Sequence, residues 1–262
     1  MVVQEADELD DEAMQAFARE TKLSETAFVQ TAGDGAADYR NRIWTMAREL
    51  DFAGHPSLGT AVAVARTRGE TNARYVQQTR AGLQPVEISL DGLAAYASMH
   101  QEPAVLGEEL DPGRVLTAAG LAASDAEPVL PPQLVSTGLP HVIAIVRDTE
   151  ALARVRIDEP ALGELLDPLD AVTLYISAWD ADSARARARS LTPVVEGGED
   201  PATGSAAGPL CAYLHARTGT QRVEIDQGIE MGRPSRLIAG MDGDRVRVEG
   251  SAVVLVEGTL HL

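Results

Sequence analysis

Cysteine is nearly missing from this chain: Cys211 is the one thiol in 262 residues. That excludes an internal disulfide and a structural zinc site built on cysteines. Cys211 falls in the apolar stretch "GPLCAYL", where a buried, unreactive side chain is expected. Lysine is equally scarce. Lys22 is the one lysine among 22 basic residues, which face 40 acidic ones for a net charge of −18. Such a surface repels a phosphate backbone, and the short run "ARARARS" (184–190) is too brief to reverse that, so no nucleic-acid partner is expected. Two origins of the bias stay open: a GC-rich genome, or a high-salt cytoplasm where excess carboxylate keeps a protein dissolved.

Long apolar runs are also absent. None reaches the ~18 to 20 residues of a membrane span, and "VVQEADELDDEA" after Met1 lacks the basic start of a signal peptide, so a cytoplasmic protein with no membrane partner is expected. There is no G-x-x-x-x-G-K-S/T phosphate loop, no G-x-S-x-G nucleophile elbow, and no G-x-G-x-x-G fingerprint after a strand. His141 and the other histidines lack zinc spacing. Neither a metal nor a cofactor is expected.

What the chain does have is a motif written twice. "PSLGTA", Pro56 to Ala61, returns 145 residues later as "PATGSA", Pro201 to Ala206. Both copies are preceded by Arg-x-x-Thr (Arg42 and Thr45; Arg189 and Thr192) and by carboxylates, Glu49 and Asp51 in one and Glu199 and Asp200 in the other. Both run on into small apolar residues and end in Ala-Arg-Thr and a glycine. This reads as an internal duplication. "GTAVAVA" and "GSAAGPLCAYL" offer almost no polar face, and a helix apolar all round is buried.

The expected fold is therefore α+β: two pseudo-symmetric domains, each a mostly antiparallel sheet rolled around a central buried helix. The N-terminal half is placed at 1–115, with its helix at about 57–68. The C-terminal half is placed at 116–262, with its helix at about 203–217 and its last strands packing back on the first half. The segment 108–128 reads as a helical connector, with the boundary near Asp111 to Ser124.

Each buried helix starts with unpaired backbone N–H groups and a positive dipole end. Gly59 and Gly204 would let a ligand approach the backbone, and Thr60 and Ser205 would add hydroxyl donors. A small anionic metabolite gripped from two sides is the ligand this pattern suits, with the neighbouring carboxylates moving protons.

"RELDFAGHPSLGTA" and "GEDPATGSAAGPL" resemble two long motifs of the phenazine-biosynthesis PhzF-like isomerase family. "LSETAFV", "STGLPHV", "QGIEMGRPS" and "VRVEGSAVVLVEGTLHL" are similar to further segments of it. The resemblance implies the diaminopimelate-epimerase-like fold, an active site in the cleft between its domains, and a homodimer. It implies a catalytic set of Glu49, His55, Asp200 and Ser205, with Gly54, Gly59, Thr60, Thr203 and Gly204 binding substrate.

The implied reaction is a cofactor-independent isomerisation in which Glu49, its pKa raised beside an apolar wall such as Phe52, moves a proton between carbons. An epimerase of the same fold and a non-catalytic small-molecule binder are the alternatives. The two-thiol mechanism of other enzymes with this fold is unavailable to a chain with Cys211 alone. The family's opening strand and G-N-P segment are not seen before "MVVQEADELDDEA": two readings stay open, a start codon assigned too far downstream, which is preferred, or a first sheet that lacks an edge strand. Met46 and Asp51 stand where the family often has proline.

Overall fold

The computed structural model describes residues 1–33, 35–193, 195 and 197–261. The chain divides into two compact units, Met1–His100 with Glu249–Leu262, and Gln101–Val248.

The first unit runs β1 (Val2–Val3), α1 (Asp11–Thr21), β2 (Thr26–Gln30), β3 (Tyr39–Trp44), β4 (Glu49–Leu50), α2 (Gly54–Arg68), β5 (Asn72–Thr79), β6 (Gly82–Asp91) and β7 (Ala94–His100). Strand order is β1-β2-β3-β5-β6-β7, with β4 paired to β3 beside that path. The β2–β3, β3–β4, β5–β6 and β6–β7 pairs are antiparallel, while β1–β2 and β3–β5 are parallel. Helix α2 touches all six strands of the path, so this sheet curls around it.

Side-chain alternation assigns each residue of β2 and β3 to a face. Val29 and Tyr39 pack with Ala61, Val62 and Ala65 of α2. Phe28 and Trp44, of opposite parity, pack with Met14 and Ala18 of α1. One face of the sheet belongs to α2 and the other to α1.

The second unit contains β8 (Val105–Glu109), α3 (Pro112–Thr117), β9 (Gln133–Ser136), β10 (Pro140–Val146), α4 (Thr149–Ala153), α5 (Glu159–Leu166), β11 (Leu174–Asp180), β12 (Arg185–Leu191), β13 (Glu199–Asp200), α6 (Gly204–Thr218), β14 (Arg222–Gln227) and β15 (Ser235–Asp242). β16 (Arg245–Val253) begins in this unit and ends in the first. In β10, Ile143 and Ile145 face α6, whereas Val142, Ala144 and Val146 face the layer made by α3, α4 and α5. A strand covered on both faces reads as an unbroken apolar run, and "VIAIV" (142–146) is one.

The boundary expected near residue 115 is corrected to His100. The apparent connector carries Val115, Leu116, Ala118 and Ala119, which are core residues of the second unit. A segment that supplies core cannot also be the linker.

The two central helices are found as small-residue helices with buried middles, Gly54–Arg68 and Gly204–Thr218. Each ends on a glycine in the left-handed conformation, Gly69 and Gly219. The first helix starts earlier than expected, at Gly54. Gly59 therefore lies in its second turn, and Thr60 is fully buried, its hydroxyl without a hydrogen-bond partner among the described residues. Neither is at the helix end where an anion grip was expected.

Candidate active site

In the first unit, the polar residues near the start of α2 are Glu25 and His55. Glu25 precedes β2 and shares the parity of Val29, so it faces α2. His55 is the second residue of that helix, whose N-cap, Ala53, has no capping side chain and whose first turn has no acidic residue. Its positive dipole end is thus left open to an anionic group. Glu25 Oε2 lies 3.0 Å from His55 Nε2; the carboxylate is 17% exposed and the imidazole 51%. The contact is an ion pair by distance, and Oε2 has no other hydrogen-bond partner among the described residues. Burial pushes the Glu25 pKa up, but His55, the Ser24 hydroxyl and the Met1 amino group outweigh it, and the net shift is downward.

Glu49 is elsewhere. It pairs across the sheet with Trp44, and residues paired in this way share a face, here that of α1. Arg42, two residues before Trp44 on β3, donates Nε to Glu49 Oε1 at 2.7 Å and Nη2 to Oε2 at 2.8 Å, while its Nη1 reaches Asp11 of α1 at 2.7 Å. Arg80 adds a third contact to Glu49 at 3.3 Å and meets Asp51 at 3.1 Å. The apolar wall expected around Glu49 is replaced by two guanidinium groups, and the structure does not bring Glu49 to His55. Arg42, Glu49, Arg80 and Arg40 line a depression of about 470 Å³ with Asn41 and Thr79.

The second unit repeats this arrangement. Leu191 of β12 pairs with Glu199, and Arg189, again two residues earlier, grips Glu199 through Nε at 2.8 Å and Nη2 at 2.6 Å. Arg189 Nη1 also donates to the carbonyls of Leu152 and Val155, beside α4. The next residue, Asp200, points the other way, towards α6. Its Oδ2 accepts the hydroxyl of Thr203, the N-cap of α6. Thr203 thus caps no helix N–H with its side chain, and Gly204 and Ser205 begin the helix with no acidic residue in its first turn.

Two residues that the sequence reading passed over complete these sites. Glu25 stands in "LSETAFV", and its parity with Val29 is the signal that the sequence carries. Gln227, at the end of β14, accepts the Thr203 N–H at 3.2 Å and donates to the Asp200 carbonyl at 2.7 Å. Its approach depends on the turn beyond it. Gly228 has φ +76°, and an added Cβ would stand 2.3 Å from the Arg233 carbonyl and 2.8 Å from that of Pro201. Helix α6 is seated by Gln101, which donates to the Gly204 carbonyl at 2.9 Å and fills the space over Gly208. Among the described residues no group of three or more His, Cys, Asp and Glu side chains is close enough to hold a metal ion, and no helix is long and apolar enough to cross a membrane.

Open helix ends with a carboxylate beside each, set in sheets that curl around small-residue helices, define a class of protein. Residues 1–258 match the family described as phenazine biosynthesis-like protein. The chain is similar to the trans-2,3-dihydro-3-hydroxyanthranilate isomerase of Pseudomonas aeruginosa, 36% identical over 270 residues that cover 98% of this chain and 91% of the relative. It is 35% identical to an uncharacterized isomerase of Mesorhizobium japonicum, covering 100% and 92% of the two chains. A solved structure of a predicted epimerase from P. aeruginosa is similar to it with a TM-score of 0.82 and 35% identity, covering 98% of this chain and 93% of that one. The chain belongs to the phenazine biosynthesis-like family, and it is an enzyme of the isomerase class.

Proposed function

We propose that the enzyme isomerises a small carboxylate-bearing metabolite by moving one proton between two of its carbons, with Glu25 as both base and acid. The role expected of Glu49 passes to Glu25 in this reading. The observation that carries it is the Glu25–His55 contact of 3.0 Å at the open start of α2. Glu49, by contrast, is held by Arg42 on the opposite face of the sheet.

Glu25 enters as a carboxylate and takes a proton from carbon, and the electron pair of that C–H bond spreads into the adjoining unsaturated system. The Glu25 carboxyl then returns the proton to a second carbon and is a carboxylate again, so nothing is oxidised or reduced. In the first unit, His55 holds a polar group of the substrate and the Gly54 N–H stabilises negative charge as it develops; in the second unit, taken by itself, Asp200 and Ser205 are the groups suited to bind substrate and Gly204 supplies the like N–H. Trans-2,3-dihydro-3-hydroxyanthranilate, named for the P. aeruginosa relative, is the first substrate to try.

The two units are read here as an internal duplication in a register of 150 residues rather than 145. Glu49 and Glu199, Gly54 and Gly204, Gly69 and Gly219, and Gln77 and Gln227 all stand at that separation. The homodimer implied by the family resemblance belongs to the same reading, and light scattering on the purified protein checks it.

The test is deuterium incorporation in D2O, first into trans-2,3-dihydro-3-hydroxyanthranilate and then across a pooled cell metabolite extract. A deuteron at a new carbon supports isomerisation, and one at the original stereocentre means epimerisation. Binding without exchange, unaffected by Glu25→Gln, would leave a non-catalytic binder.

A further inference from the structure

Asp200 sits at the end of a hydrogen-bond chain whose direction can be read atom by atom. The Thr203 backbone N–H can only donate, so the Gln227 atom it meets at 3.2 Å is Oε1. The Asp200 carbonyl can only accept, so the atom it meets at 2.7 Å is Nε2. With the amide fixed at both ends, Tyr175 must donate its hydroxyl to Oε1, at 2.9 Å, and Nε2 must donate to Thr203 Oγ1, at 3.0 Å. Burial of Tyr175, aided by the charge of Asp200, raises the phenol pKa and keeps it a donor. Thr203 Oγ1, already receiving a hydrogen, has its own left for Asp200 Oδ2. All four hydrogen-bonding positions of Gln227 are used, and the side chain is fully buried.

The first unit supplies a comparison. Gln77, also fully buried, stands 150 residues before Gln227 and accepts from Asn41 Nδ2 at 2.9 Å. The positions matching Asp200 and Thr203 in that register are Leu50 and Ala53, which have no polar side chain. A glutamine is present in both units, but the donor chain is built only where there is a carboxylate to receive it.

We infer that Gln227 is a positioning residue: through Thr203 it holds a hydroxyl hydrogen against Asp200 Oδ2, fixing that carboxylate's rotamer and leaving Oδ1 to accept from a donor group of the substrate. This rests on the reading that Asp200 binds substrate. Removing one charge-assisted hydrogen bond of this kind slows a reaction by roughly tenfold to a hundredfold.

The experiment uses the full chain and a pooled metabolite extract in D2O, with rates of deuteron gain at high and low extract concentration and a thermal melt for each variant. Thr203→Val is expected to lose about tenfold or more in rate while still melting cooperatively, and Thr203→Ser to return to within about threefold of the parent. Gln227→Leu with Thr203→Val should be no slower than the slower single variant, because both cut one chain.

Full activity in Thr203→Val, with Asp200→Asn inactive, would overturn the inference while sparing the reading beneath it. Full activity in Asp200→Asn would overturn both. Should the extract gain no label, the crystal structure of Thr203→Val decides: an Asp200 carboxylate turned from its parent rotamer supports the inference, and an unchanged one overturns it.

Discussion

Arg42 holds Glu49 through both carboxylate oxygens, at 2.7 and 2.8 Å, and Arg189 holds Glu199 in the same two-pronged way at 2.8 and 2.6 Å. Both pairs are almost sealed from water, with side chains 9% and 7% exposed in the first and 8% and 9% in the second. The partners raise the pKa of each arginine above its ordinary value. Each pair ties a two-residue strand, β4 or β13, to the main sheet just before a central helix begins. They fix where those helices start.

Glu49→Gln is therefore expected to cost stability more than turnover. Breaking a buried pair leaves a charge without its partner, a loss of about 3 to 5 kcal/mol, with the smaller figure expected because Arg42 keeps Asp11. Chemical denaturation should show this loss, while deuterium incorporation by the folded fraction stays within about threefold of the parent.

His141 gives the protein an acid sensitivity of known sign. It is fully buried, with Nδ1 against Thr173 Oγ1 at 3.0 Å, and burial pushes its pKa down to about 3 from 6.5. The unfolded chain therefore binds a proton across that interval that the folded protein does not. Stability from this group is complete above pH 6.5 and falls by up to about 1.4 kcal/mol per pH unit below it. Glu25, Asp11 and Asp125, whose pKa values are lowered, lose their contributions only as pH falls through the carboxylate range. Denaturation curves between pH 6.5 and about 5 should show the histidine slope, and His141→Gln should flatten it.

Gly228→Ala should disable the second unit's site without changing a polar side chain. The added methyl would lie 2.3 Å from the Arg233 carbonyl and 2.8 Å from that of Pro201, in a backbone conformation that alanine seldom adopts. The Pro201 turn carries Asp200 and Thr203, so labelling activity should fall by at least about tenfold. Stability should drop by roughly 1 to 3 kcal/mol.

Cys211 should resist thiol reagents in the folded protein. Burial pushes its thiol pKa up to about 12, and its sulfur donates weakly to the Ala239 carbonyl at 3.5 Å. Modification by an aromatic disulfide reagent should be at least about a hundredfold slower in buffer than in denaturant. Fast modification of the native protein would contradict the packing of α6.

The central helices were legible because an apolar helix without a polar face has nowhere to lie but inside. Their register was not. The motif repeat at 145 residues set Gly59 beside Gly204, yet the helices begin at Gly54 and Gly204, because a helix starts where its preceding strand pairing ends. The fate of Glu49 depended on which face of the sheet it occupied, and that required the Trp44 pairing. Glu25, 30 residues before His55, and Gln227, 27 residues after Asp200, become neighbours only once the strands are in register. His55, Asp200, Thr203, Gly204 and Ser205 stand at open helix starts and were within reach of the sequence because each lies beside its motif.

The most direct test compares two glutamates by one assay. Wild type, Glu25→Gln and Glu49→Gln would be incubated in D2O with trans-2,3-dihydro-3-hydroxyanthranilate and with pooled metabolites, and the products weighed by mass spectrometry. Label is expected from wild type and from Glu49→Gln, with a loss of about a thousandfold or more in Glu25→Gln. Label persisting in Glu25→Gln but vanishing in a folded Glu49→Gln would contradict it.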